Sequence, residues 1–238
     1  MQQISGSPDT SGEPPRRRSG LPGWRFVLAI VVCAVVLSAI VRATLVDVYF
    51  IPSGSMEPLL ETGDRVLVSR TDYHFGEIRR GDLVVFDGRG SFAPFNSGNS
   101  PFVDLLQQAG QWLGVAGSDT IYVKRVIGLP GDTVKCCGPD GRLQVNGEAV
   151  QEDYIFDGDA PSDMKFSVEV PKDRLWLMGD HRSASADSRA LLGAPGGGMV
   201  PVERVIGRPL SIIWPLDRAA GLDRIQLGSQ PADQPAEN

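Results

Sequence analysis

Apolar positions run without interruption in one place only. Between Arg25 and Arg42, residues Phe26 to Val41 carry no charge. No polar face recurs at helical spacing, so the run predicts a helix that is apolar all round, not one side of a soluble core. Arginine stems can snorkel, and Trp24 to Leu45 then supplies about 20 residues of usable helix, enough to span a bilayer. A cleaved leader would need small residues at alternate positions after the run. "VRATLVDVYF" offers Arg42 and bulky residues instead. The expectation is one permanent membrane helix over 23–45.

Beyond residue 45 the pattern shortens. "TLVDVYFI" is β-branched and aromatic, hence extended. "DRVLVSR" (64–70), "GDLVVFDG" (81–88), "IYVKRVIG" (121–128) and "DTVKCC" (132–137) are apolar stretches bounded by Gly, Asp or Pro. "RLQVNGEAV" (142–150) carries Asn146-Gly147, a two-residue hairpin signal. "FSVEVPKDRLWLMGD" (166–180) reads as two strands around Pro171-Lys172-Asp173, and "RVIGRPLSIIWP" (204–215) as a late strand pair. Short strands with frequent turns predict a mostly β domain of antiparallel sheets and hairpins over 46–228.

Three segments fall outside this pattern. Residues 1–22, rich in Gly, Ser and Pro and holding "RRR", read as a disordered tail, and so do residues 229–238. Residues 88–120 interrupt the β pattern with a loop and an amphipathic stretch, "VDLLQQAGQWLGV". The plain reading is an insertion packed on the sheet. The sharper reading is an element that touches lipid or guides substrate, because Phe92, Phe95, Phe102 and Trp112 are unusually apolar for a loop.

Charge adds a direction. Residues 1–42 carry five arginines against two acids, +3, which leaves −9 on the remainder of a chain whose net charge is −6. Arginines before the apolar run favour a cytoplasmic N-terminus and place the acidic remainder beyond the membrane. An acidic domain is a poor match for nucleic acid. The three cysteines lack the spacing of a zinc site. Cys33, inside the apolar run, reads as a packing residue. Cys136 and Cys137 are adjacent, and free thiols or a vicinal disulfide both remain open.

Candidate chemistry begins with "IPSGSMEP" (51–58), which places Ser53 and Ser55 just after the apolar run. A serine hydroxyl is a weak nucleophile until a base takes its proton. Spacing leaves His74 and His181 open as that base, because such groups assemble in three dimensions. Lysine is the alternative, and the chain has four: Lys124, Lys135, Lys165 and Lys172. Lys165 and Lys172 lie near polar turns, and Lys135 precedes the paired cysteines. Lys124, in "IYVKRVIGLPGD", shares a strand face with Tyr122 and Val126. Apolar neighbours lower an amine's pKa, as a neutral base requires. The plainer reading is a strand lysine reaching to solvent. The loop "GDHRSASADSR" (179–189) supplies hydroxyls that can orient an amine, and Asp187 and Arg189 can pair to stiffen it.

Taken in order, "PSGSMEPLL", "GDLVVF", "YVKRVIGLPGD" and "MGDHRSASADSR" after one membrane anchor resemble the signature boxes of bacterial type I signal peptidases (leader peptidases), of the Gram-positive, actinobacterial kind. The resemblance implies a membrane-bound serine endopeptidase that cleaves N-terminal signal peptides from secreted preproteins. In that family's terms Ser55 is the nucleophile and Lys124 the base. Ser53 assists the Ser55 N–H at the oxyanion, and Ser185 hydrogen-bonds the lysine amine. Asp187 and Arg189 are the supporting pair. Ile51, Pro52, Met56, Leu60, Tyr122 and Val123 line the substrate subsites. His181 stands where asparagine is frequent, and Ser183-Ala184 replaces a more polar pair. The resemblance implies preprotein substrates, the lipid bilayer and nearby secretion machinery as partners, and neither cofactor, metal nor nucleic acid. The placement it implies is the cell membrane, single-pass, with an extracytoplasmic catalytic domain. A Ser/Lys self-cleaving repressor would have a DNA-binding domain in place of the apolar run, and a sortase would need a histidine partner for Cys136 or Cys137. A non-catalytic, membrane-anchored β-domain binding exported peptides is the rival from another class.

Overall fold

A computed structural model describes residues 23–92, 120–194 and 196–228. The two predicted tails, and most of the 88–120 excursion with its candidate helix, lie outside them. The chain divides into two units, Met1–Ile40 and Val41–Asn238.

The apolar run is helical: α1 spans Trp24–Thr44. Its described large apolar side chains, Phe26, Leu28, Ile30, Val32, Val36 and Leu37 among them, are exposed. Cys33 is a free, exposed thiol. Among the described residues no helix is long and apolar enough to cross a membrane; the side chains described on α1 run from 24 to 39.

The second unit is built on antiparallel strands, as the short apolar stretches predict. They are β1 (Val46–Phe50), β2 (Arg65–Ser69), β3 (Leu83–Asp87), β4 (Ile121–Gly128), β5 (Thr133–Cys136), β6 (Gln144–Val145), β7 (Glu148–Ala149), β8 (Phe166–Glu169), β9 (Arg174–Met178), β10 (Val200–Pro201), β11 (Val205–Trp214) and β12 (Ala220–Gly221). A one-turn helix, α2 (Asp72–Phe75), follows β2. One sheet runs β1-β2-β11-β3-β4-β9-β10, with β12 beside β11; a second runs β7-β6-β5-β8. The β6–β7 hairpin turns on Asn146 and Gly147, both at positive φ, as that dipeptide predicts.

The two strands expected around Pro171-Lys172-Asp173 form as β8 and β9: β8 joins β5 in the small sheet and β9 joins β4 in the large one. One expectation needs revision. Residues 204–215 form one long strand, not two. β11 pairs with β3 through Val205 and Gly207, then with β2 from Arg208 onward, with irregular register beside Pro209. Proline lacks a donor, and a bulge is where a strand tolerates that loss.

Three apolar clusters hold the sheets. One lies beneath the 51–60 segment: Ile51, Met56, Leu60, Val66, Val68, Leu83, Val85, Ile212 and Leu222. A second joins Val84, Phe86, Val126, Leu175, Leu177 and Val200. The third fills the space around the small sheet, including Val134, Leu143, Phe166 and Trp176. Phe92, at the start of the excursion, packs edge-on against Phe86 at 5.1 Å and beside Tyr122 at 5.5 Å. Cys136 and Cys137 are joined as a vicinal disulfide at the end of β5. Arg80 and Asp132 form a buried ion pair, which Asn146 Nδ2 (2.9 Å) and the Leu129 N–H (2.8 Å) also approach.

Candidate active site

The 51–60 segment connects β1 to β2. Its base is closed by Ile51 N–H to Asp64 O (2.9 Å) and Gly63 N–H to Ile51 O (2.9 Å). Its tip is tightened by Glu57 N–H to Gly54 O (3.1 Å) and Leu60 N–H to Met56 O (3.0 Å). Met56 (2% exposed) and Leu60 (0%) sink into the apolar cluster below. These anchors hold Ser55 at the top of the turn, where it is 9% exposed. Ser53, two residues earlier, is exposed.

Lys124 comes from the middle of β4, opposite Val84 on β3. It is 3% exposed, and its Nζ hydrogen-bonds Ser55 Oγ across 69 residues of sequence. Burial lowers the Lys124 pKa to about 8; the facing carboxylates Asp187 and Asp180 pull it back up, and Arg189 pushes it down.

The 179–189 loop closes over this pair. Asp187 is fully buried and grips Arg189 through two bonds, Nε to Oδ1 at 2.9 Å and Nη2 to Oδ2 at 2.8 Å. It also accepts the Gly179 N–H at 3.0 Å, while Arg189 reaches Arg182 O at 2.7 Å. The expected stiffening pair is therefore present. The expected bond from Ser185 to the lysine is not. Ser185 Oγ is buried without a hydrogen-bond partner among the described residues, and it stands against Gly179. A methyl at Gly179 would strike both Ser185 Oγ and Ser55 O, so only glycine fits between them.

The residues expected to line subsites separate. Ile51, Met56, Leu60 and Val123 share the cluster under the turn. Tyr122 packs on the other side, stacked on Phe86 at 5.8 Å. Pro52 is exposed. Met56 and Leu60 are nearly sealed, so they contribute packing beneath the turn and not open surface. The Glu57 carboxylate lies where a Cβ at Gly54 would be.

Several supporting groups escape a sequence reading. Arg125, next to Lys124, is buried and grips Asp180, with Nε to Oδ1 at 2.8 Å, and lies 4.1 Å over the Tyr154 ring. Burial pushes the Asp180 carboxyl up, and the Arg125 guanidinium opposes it. Arg182 spans from Gly179 O (3.0 Å) to Pro161 O (2.7 Å) and pairs with Glu152. His181 donates its backbone N–H to Ser55 O at 3.2 Å. The signal for Arg125 and Asp180 was adjacency alone: each sits beside a residue already singled out. Nothing local marks Glu152 or Tyr154.

An antiparallel β domain that presents a serine hydroxyl to a buried amine can perform acyl transfer: the amine takes the hydroxyl proton as the oxygen attacks a carbonyl. Comparison with known proteins gives the class. Residues 24–214 match the family described as signal peptidase, peptidase S26. The chain belongs to this family and is a peptidase of it. It is 34% identical over 241 residues to a probable signal peptidase I of Mycobacterium leprae (strain TN), covering 89% of this chain and 82% of that one. It is 37% identical over 227 residues to signal peptidase I of Mycobacterium tuberculosis (strain ATCC 25618 / H37Rv), covering 86% and 76%. Signal peptidase I of Bacillus licheniformis is 31% identical, with 90% of this chain and 100% of that protein covered.

Proposed function

We propose that this chain is a membrane-anchored serine endopeptidase that removes N-terminal signal peptides from secreted preproteins with a Ser55/Lys124 dyad. The carrying observation is the bond between a buried lysine amine, its pKa lowered to about 8, and the Ser55 hydroxyl. Near neutral pH a usable fraction of that amine is uncharged. It accepts the Ser55 proton as Oγ attacks the scissile carbonyl. The resulting ammonium protonates the departing amine, and the neutral lysine then activates a water to hydrolyse the acyl-enzyme. The Ser55 N–H and the Ser53 hydroxyl stabilise the oxyanion. Asp187 and Arg189 support the lysine from the loop side.

The substrate docks as an extended strand near Pro52 and Val123, over the packing that Ile51, Met56 and Leu60 form beneath the turn. Residues 23–45 anchor the protein in the cell membrane, with residues 1–22 cytoplasmic and 46–228 outside. Exposed apolar side chains along the described part of α1, Trp24 to Leu37, favour lipid as their environment, since exposing them to water costs about 25 cal/mol per Å². Ser55 follows the helix by about ten residues, so the anchor keeps it near the bilayer surface, where a preprotein's cleavage site emerges.

The test is to incubate the detergent-solubilised protein with a preprotein and measure the mass of the new N-terminus. Cleavage at one defined bond, lost in Ser55→Ala, supports the reading. A serine-directed acylating probe should label Ser55 and fail to label it in Lys124→Ala. Binding of preprotein without any cleaved product would instead favour a non-catalytic, anchored peptide binder. Ser53→Ala should slow cleavage by roughly 10- to 1000-fold, as loss of one oxyanion donor does; a larger loss than in Ser55→Ala would mean the two serines are exchanged.

A further inference from the structure

The His181 ring lies directly on the turn that carries the nucleophile. Its Nδ1 is 3.2 Å from Gly54 O, and its backbone N–H bonds Ser55 O at 3.2 Å. A carbonyl oxygen can only accept, so Nδ1 must carry the hydrogen in this contact. The ring is held flat against Phe156, with centroids 4.0 Å apart and planes 11° from parallel. Phe156 is itself fixed by its N–H to Asp180 O at 3.1 Å. The Glu57 carboxylate lies 3.7 Å from Nδ1, and the Glu57 N–H shares Gly54 O with the imidazole.

Gly54 C=O and Ser55 N–H belong to one planar peptide group. Fixing the oxygen therefore fixes the direction of the N–H at the opposite edge. A donor on the oxygen also polarises the group and strengthens the N–H as a donor. We infer that His181 is a positioning residue: its Nδ1–H locks the Gly54–Ser55 peptide so that the Ser55 N–H points at the developing oxyanion. This rests on the reading of Ser55 as nucleophile and oxyanion donor. The imidazole does not touch the reacting atoms. It acts through one peptide plane, and Phe156 keeps its ring in register.

Two variants separate the donor from the ring. His181→Phe keeps a flat ring against Phe156 and removes the donor. His181→Asn keeps a donor and removes the ring. With the full chain in detergent and a preprotein substrate, His181→Phe should lower kcat about 10- to 100-fold with KM within about twofold, because the lost interaction matters only when charge develops. His181→Asn should retain kcat within about fivefold. An unchanged kcat in His181→Phe, a loss carried in KM alone, or an equal loss in both variants would overturn the inference. If His181→Phe does not fold, His181→Asn decides by itself: a kcat loss beyond about fivefold overturns the inference, and a smaller loss supports it. Ser55→Ala in the same series tests the underlying reading. Turnover surviving there would remove the dyad, whereas a dead Ser55→Ala beside a fully active His181→Phe would remove only the role given to His181.

Discussion

β4 and β5 follow one another in the chain, and each carries a lysine after a valine: "YVKRV" and "TVKCC". Their fates differ. β4 lies between β3 and β9 in the large sheet, and from Lys124 to Gly128 every residue is buried. β5 lies in the small sheet and alternates exposed and buried, with Lys135 on the exposed face opposite Gln144 and Ser167. Lys124 stands opposite Val84, under the Ser55 turn and the 179–189 loop. Local sequence makes both lysines strand residues. Layering of other segments over one of them turns it into a candidate base.

The largest expected effect breaks the comparison outright. Lys124→Ala should lower preprotein cleavage by on the order of 10⁴-fold or more, as removal of the base does in other serine hydrolases. A discontinuous assay reading the mass of the mature N-terminus checks this, and activity near that of the parent protein would show that some other group serves as the base. Next, Asp187→Asn leaves Arg189 buried beside a neutral amide. Breaking a buried pair costs about 3–5 kcal/mol, so the denaturant midpoint should fall sharply; a midpoint unchanged from the parent's would mean the pair does not hold the loop.

A third prediction concerns pH and stability. The Lys124 amine has pKa 10.5 as its ordinary value and about 8 in the fold. Between those values the unfolded chain holds a proton that the folded one has released, so stability rises as pH climbs from 8 to 10.5. Below 8 the full burial cost, about 3 kcal/mol, is present. Lys124→Met should therefore be more stable than the parent at pH 7, with the gap closing towards pH 10.5. Unfolding followed at both pH values measures this, and a gap independent of pH would argue against a buried amine. The smallest expected effect is Lys135→Ala. As a surface substitution it should change stability by no more than about 0.5 kcal/mol and leave cleavage unaffected. A clear loss of turnover there would blur the contrast between the two strands.

Much of the fold was legible because strand periodicity is local. The stretches around Val66, Val85, Val126 and Val134 become strands where short apolar runs bounded by Gly, Asp or Pro predict them, and Asn146-Gly147 makes its hairpin. The failures are non-local. "RVIGRPLSIIWP" was read as two strands, yet β11 runs on through Pro209 by exchanging partners. The hydroxyl of Ser185 was assigned to the lysine on resemblance, but it sits against Gly179 without a partner among the described residues.

By itself the sequence determined the apolar N-terminal run, the antiparallel β character, the family, and the residue types at the candidate site. The apolar run and the β character follow from spacing along the chain, which backbone geometry converts directly into faces and turns; the family rests on the resemblance of four motifs to known signature boxes. Only the tertiary structure decided that Lys124 is sealed while Lys135 is not, that Arg125 grips Asp180 beneath the loop, and that His181 lies against Gly54 and Ser55. Desolvation and hydrogen-bond partners come from segments far apart in the chain. An amine's charge state therefore depends on which strands flank it and which loops cover it.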